Sequence, residues 1–189
     1  MENGQRRKLW FDTSYALIES PDSKQSVVGG PSKQKCPYCN SSYQDLLILN
    51  GKDERLSFLG TEEVIRIKIC LSCLPWSSPI ICSCEGEGSI ITHEDGESNF
   101  VDDETIEEHK NMILSKERVP LRYCSKWEKS AIGGKPNFID DAYFAKCPKC
   151  GKYMKHLAQL DSECTGYDGT VYIQICTECK TAATWYQQT

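Results

Sequence analysis

Four Cys-x-x-Cys doublets constrain this chain more than any other feature. They are Cys36/Cys39, Cys70/Cys73, Cys147/Cys150 and Cys176/Cys179, eight of the 12 cysteines in 189 residues. A Cys-x-x-Cys turn points two sulfurs at one place. Two such turns on neighbouring hairpins make a closed tetrahedral four-sulfur site, the chemistry of structural zinc. The doublets pair naturally as 36/39 with 70/73 and as 147/150 with 176/179. The intervening 30 and 25 residues exceed the usual run of about 15–20, so each insert should carry extra strands. Two structural zinc ions are expected. With the cysteines set aside, only about a third of the chain is apolar. A core that thin needs cross-links or metal.

Two other uses of the doublets compete. Met1 to Lys8 lead into no apolar stretch of the secretory kind. The expectation is therefore a cytoplasmic, reducing setting in which disulfides do not persist. Cys36-Pro37-Tyr38-Cys39 matches the active-site string of glutaredoxins, where a low-pKa thiol attacks disulfides. That reading, a thiol-disulfide oxidoreductase, needs the string between a strand and a helix of a βαβ unit. Here Asn40-Ser41-Ser42 and a strand-like run follow it. Cys82, Cys84, Cys124 and Cys164 remain. They read as buried or surface thiols, with a third site involving His93 or His109 as the alternative. His156 reads as structural. No catalytic constellation stands out, so no enzyme is expected.

The chain also repeats itself, the first thing to look for in any sequence. Ser26 to Gly30 returns as Ser130 to Gly134, and Cys36 to Asn40 as Cys147 to Gly151. Leu46, Leu49 and Asn50 return as Leu157, Leu160 and Asp161, and Ile65 to Cys73 as Val171 to Cys179. Order is kept and only loop lengths change. The division that follows is a first repeat over 1–80, an acidic linker with a helix over 81–117, and a second repeat over 118–189. Asp45–Leu49, Ile65–Ile69, Met154–Leu160 and Val171–Ile175 read as strands. Asp103 is placed to cap a helix presenting Ile106, Ile113 and Leu114. Asn40 and Gly151 suit the left-handed turn that closes a knuckle; Leu74 and Lys180 suit it less. The fold expected is α+β and β-rich, with internally duplicated zinc-ribbon halves packed as one globular unit.

Charge is segregated. Glu85 to Glu108 carry ten acids and no Lys or Arg, while the rest has 22 bases to 17 acids. The acidic run reads first as a solvated face and second as a dock for a basic partner. No run of 18 apolar residues suggests a membrane span. No basic stripe marks the chain as nucleic-acid-binding, so a nucleic-acid-binding zinc ribbon stands second to a protein-interaction role. Trp10, Trp76, Trp127 and Trp185 are the candidate aromatic anchors.

Ser130-Ala131-Ile132-Gly133-Gly134-Lys135-Pro136-Asn137-Phe138, then Cys147 to Gly151, then Leu157-Ala158-Gln159-Leu160-Asp161 resembles the bacterial YwqG-like domain of unknown function. The same order of motifs is similar to programmed cell death protein 2 and its relatives, with Leu9-Trp10-Phe11 in the place of their first strand. The first half departs from the pattern: Gly29-Gly30-Pro31 lacks the spaced proline and Leu46 to Leu49 lack the glutamine. The resemblance implies an interaction role. The eukaryotic relatives are chaperones for a small-subunit ribosomal protein, and some bacterial ones are suspected immunity or chaperone proteins. It points to a zinc-stabilised module that binds a protein client, chaperone-like or immunity-type, with a basic client suited to the acidic segment. Fold analogy alone does not carry function.

Overall fold

Alternating apolar positions dominate the chain between its cysteine doublets, and they form strands. The computed structural model describes residues 8–20, 26–73, 79–92, 111–119, 130–165 and 168–188. The first insert folds as β3 (Ser42–Asn50), a 3-10 helix (Glu54–Leu59) and β4 (Val64–Ile69). The second folds as β9 (Lys155–Leu160), a single turn α1 (Ser162–Thr165) and β10 (Thr170–Cys176). Asp53 caps the 3-10 helix by accepting from Arg55 N, and left-handed Gly60 ends it. The remaining strands are β1 (Phe11–Glu19), β2 (Pro31–Lys35), β5 (Ile80–Ser83), β6 (Ser89–Thr92), β7 (Met112–Leu114), β8 (Ala131–Gly134) and β11 (Thr181–Gln187).

The two hairpins share one register. Gln44 faces Ile69, Asp45 faces Lys68, Leu47 faces Ile67 and Leu49 faces Ile65. In the second, Lys155 faces Ile175, His156 faces Gln174, Ala158 faces Ile173 and Leu160 faces Val171. Each has its irregularity at the same place, with Leu46 and Leu157 as the extra residues. The approach to each first knuckle also coincides. Lys35 pairs with Ser42 and Lys146 with Tyr153.

The larger sheet runs β6-β5-β11-β10-β9-β8-β1-β7 and the smaller β2-β3-β4. The strands leading into the hairpins cross over. β1 precedes the first hairpin but pairs with β8 beside the second, Tyr15 to Ile132 and Ala16 to Ala131. The strand β7, which precedes the second hairpin, accepts from the first: Val27 N donates to Met112 O at 2.8 Å, and Ile48 N donates to Val27 O at 2.8 Å. β1 and β7 pair with each other, Leu17 to Leu114. Arg66 N donates to Cys84 O, so the smaller sheet is tied to the larger at both ends. One apolar cluster runs through both hairpins, with Leu47, Leu49, Ile67 and Ile69 packed together with Leu157, Leu160 and Ile173.

The repeated Gly-Gly pairs sit where backbones approach closely. A Cβ on Gly29 would lie 2.3 Å from Asp45 O, and one on Gly133, at φ 76, would lie 2.0 Å from Thr13 O. Only glycine fits either place. The expected helix beginning at Asp103 falls mostly outside the described residues. Its far end is a strand, because Ile113 and Leu114 belong to β7 and pair with β1. Sheet pairing overrides the local helical pattern there. The helical content of the described residues is the 3-10 helix and α1 alone, far less than α+β suggests.

Asp45 and His156 occupy corresponding positions with different chemistry. Asp45 accepts from the buried Lys68 ammonium at 2.6 Å, and Lys68 also donates to Ser32 at 3.1 Å. Opposite His156, Gln174 spends its amide elsewhere, accepting from Ala145 N and donating to Tyr143 O. His156 is fully buried, and among the described residues neither of its ring nitrogens has a hydrogen-bond partner. Burial alone pushes its pKa down to about 3. The folded state keeps the ring neutral while the unfolded state takes up a proton below the ordinary value of 6.5. Stability is therefore lost as pH falls through 6.5 towards 3. His156→Leu should remove an unpartnered buried group, adding about 1 kcal/mol at pH 7, and about 2 kcal/mol more at pH 5. Urea midpoints of both proteins at the two pH values measure this; an equal gain at both would refute it.

Candidate metal centres

Each hairpin carries a knuckle at either end of its paired strands, and the pairing brings the two knuckles together. The Sγ atoms of Cys36, Cys39, Cys70 and Cys73 all lie within 4.8 Å of one another, and so do those of Cys147, Cys150, Cys176 and Cys179. All eight candidate ligands read from the sequence fall in these two groups. Cys36 lies 3.9 Å from Cys73, Cys39 lies 3.5 Å from Cys70, and Cys150 lies 3.8 Å from Cys176. Disulfide sulfurs lie about 2.05 Å apart, so these are free thiols. Four sulfurs about 2.3 Å from one ion stand about 3.8 Å apart in a tetrahedron. The spacings fit that demand, and each group could hold a metal ion of the kind that takes four sulfurs in a tetrahedron, such as zinc.

Backbone geometry shapes the knuckles. Cys36 N donates to Ser41 O and Asn40 N to Cys36 O; Cys147 N donates to Lys152 O and Gly151 N to Cys147 O, each at 2.8–3.0 Å. Asn40 and Gly151 both close the turn in the left-handed region, at φ 62 and 71. Lys180 does so too, at φ 50, where a side chain is disfavoured. Its ammonium reaches Glu63 at 2.5 Å and Glu85 at 3.8 Å, a link from the second knuckle pair to the first half.

The thiols of one cluster do not ionise alike. Burial opposes ionisation of Cys39, but hydrogen bonds from the Ser41 side chain and N–H outweigh it and bring the thiol down to about 7. At Cys147 burial is outweighed by the Thr181 hydroxyl and the N–H groups of Cys150 and Lys149, and the value falls to about 6. Burial pushes Cys70 far up and Cys73 up to about 12, and raises Cys176. Cys39 and Cys147 are ready near neutrality, while Cys70, Cys73 and Cys176 resist. A divalent cation supplies the charge that lets the set ionise together, releasing protons as it binds. It would find no open coordination position, so its contribution would be structural.

The clusters differ in exposure. Cys36, Cys70 and Cys73 are buried and Cys39 is half-buried; in the second cluster Cys150 is exposed and Cys179 half-buried. The redox reading fares poorly on this geometry. The attacking thiol of such a string must be reachable, and Cys36 is 2% exposed. Cys82, Cys84 and Cys164 are buried thiols outside both groups, with the Cys164 Sγ 3.1 Å from Ser130 Oγ. Cys124, His93 and His109 lie outside the described residues, as do Trp76, Trp127 and most of the acidic run. Of the other tryptophans, Trp185 is buried against Tyr172 and Trp10 is half-buried beneath Lys8 and Lys135. The sequence did not single out the outward surface of β3 and β4. A cleft of about 420 Å³ opens there.

Elemental analysis should find two zinc ions per chain. A chelator should strip the ion of Cys147, Cys150, Cys176 and Cys179 first, and Cys70→Ser should leave one ion, the fast-exchanging one. Gly151→Ala meets nothing within 4 Å, so it should cost only the left-handed backbone, about 1–2 kcal/mol, measurable as a shift of the unfolding midpoint at constant metal.

No family model matches the chain, and no solved structure matches it. Among curated proteins it is similar to an uncharacterised protein YpfL of Salmonella typhimurium (strain LT2), 28% identical over 205 aligned positions. The alignment takes in all of this chain and 47% of that protein. The chain therefore spans about half the length of the curated relative it matches.

Proposed function

We propose that this chain is a zinc-stabilised protein-interaction module, built by internal duplication and related to the YwqG-like and programmed cell death protein 2 group. The observation that carries the reading is the pair of closed four-sulfur groups. Metal held that way organises a surface rather than a reaction. The shared register of the two hairpins, irregularity included, supports duplication. The client is a protein, bound in a chaperone-like or immunity-type manner in the cytoplasm, and the acidic run suits it to a basic one. No helix among the described residues is long and apolar enough to cross a membrane.

The surface around the second cluster bears on the nucleic-acid alternative. Lys146, Lys149, Lys152, Lys155 and Lys180 gather there beside exposed Tyr153. Such a patch invites phosphate. Yet Lys152 pairs with Glu178 at 2.6 Å, Lys180 with Glu63, and Lys149 lies 3.9 Å from Glu85. Acids answer most of the lysines, which favours the protein-binding reading.

Crosslinking of the native, metal-loaded chain in its own cells at physiological salt should capture one reproducible protein, and Cys70→Ser should lose it. Retention of RNA or DNA with a steep salt dependence, and no recurrent protein, would overturn the proposal.

A further inference from the structure

The two hairpins share a register but not a covering. On the outward face of the second, Gln159 and Tyr172 pair across the strands and are both buried. Residues 137–141 lie over them. Asn137 N donates to Gln159 Oε1 at 3.1 Å, Tyr172 OH donates to Asn137 O at 2.7 Å, and Ile139 N donates to Tyr172 OH at 3.0 Å. Gln187 accepts from Asp140 N and donates to Asp141 O. Phe138 packs against Tyr172 and Trp185, with ring centroids 5.1 and 6.3 Å apart. A short extended segment is thus held by side chains that read its backbone and by an aromatic anchor.

In the first hairpin the corresponding pair is Ile48 and Arg66, followed by Asn50 and Val64. These four line the cleft of about 420 Å³, with Arg55 and Ile113. Among the described residues of the first half, no segment covers them. Five residues separate Gly30 from Cys36, where twelve separate Gly134 from Cys147. The missing sequence occurs elsewhere in the chain. Asn137-Phe138-Ile139-Asp140-Asp141 returns as Asn99-Phe100-Val101-Asp102-Asp103, four identities and one aliphatic exchange. Residues 99–103 lie outside the described residues. The nine-residue step from Asp103 to Met112 reaches up to about 30 Å, and Ile113, next to Met112, is already part of the cleft wall.

We propose that the cleft on β3 and β4 is a docking site for an extended Asn-Phe-aliphatic-Asp-Asp segment, and that its occupant is residues 99–103 of the same chain. The lining fits that chemistry. Ile48 and Val64 offer apolar contact to Phe100. Arg66 stands where Tyr172 stands in the second half, and its guanidinium donates to a backbone carbonyl as that hydroxyl does. Arg66 and Arg55 also bring positive charge to a segment with two carboxylates, and arginine forks suit carboxylates. Arg66 meets Asp45 only at 3.8 Å, too long for a hydrogen bond, so it retains donors for an incoming segment. This assignment is independent of what the whole protein binds.

Hydrogen exchange of the full, metal-loaded chain tests it. Amides of Val101 to Asp103 should exchange at least about tenfold more slowly than an unstructured segment. Phe100→Ala and Arg66→Glu should each abolish that protection while two metal ions and the slow exchange of residues 171–175 remain. A synthetic peptide of residues 98–105 should bind the Phe100→Ala chain at least about tenfold more tightly than the unaltered chain, and should not bind Arg66→Glu. Unprotected amides at 101–103, protection indifferent to Arg66→Glu, or equal peptide binding by both chains would each overturn the proposal; the last would mean a cleft open to a partner's peptide instead.

Discussion

Four thiols crowded within 4.8 Å of one another set the terms for everything else in this chain. Uncompensated, such a group resists ionisation, because every added thiolate raises the cost of the next. A cation reverses that balance. The binding energy of such a cation would become folding energy, on a scale of about 10–16 kcal/mol where the ion is structural zinc. The doublets flank paired strands, so closing a cluster also locks the register of its hairpin. A one-residue slip would turn Leu47, Leu49, Ile65 and Ile67 out of the core and pull the knuckles apart.

The crossing of lead strands explains why the two hairpins form one unit. If β1 lay on its own hairpin and β7 on its own, the halves could separate as two small, thinly cored domains. Instead β1 sits beside β8 and β7 accepts from Val27. Arg55 strengthens the join by donating to Leu114 O and Ser115 O while Asp53 grips its guanidinium. The apolar cluster is continuous across the join. Neither half is complete without a strand from the other.

Corresponding positions of the two hairpins differ in ways that separate scaffold from surface. Inward-facing pairs stay apolar in both hairpins. Outward and junction positions do not: a partly buried Asp45 and a buried Lys68 form an ion pair where His156 has no hydrogen-bond partner among the described residues and Gln174 bonds backbone. Arg66 stands in place of a buried tyrosine, and no described segment covers its face. The first cluster is the more buried, with only Cys39 half-buried, while in the second Cys150 is exposed and Cys179 half-buried. The differences thus fall on the outward faces and the knuckles, while the inward pairs that join the sheets keep their apolar character.

Cysteine spacing alone was enough to pair the doublets correctly, because two knuckles can share one ion only if the strands between them turn back. Alternation likewise located β4 and β10, since inward positions must be apolar every second residue, and the runs that follow the first doublet of each pair located β3 and β9. The repeat blocks anticipated corresponding knuckles and the shared left-handed turns at Asn40 and Gly151. What sequence could not decide was which strand pairs with which. Backbone hydrogen bonds carry no side-chain signature, so β1 read as part of the first repeat although it lies beside the second. Ile113 and Leu114 fit a helical spacing equally well, and only their pairing with β1 makes them strand. The solitary burial of His156 and the cleft above Ile48 and Arg66 are likewise properties of the assembled sheets, because exposure depends on what packs across a face and no local pattern encodes it.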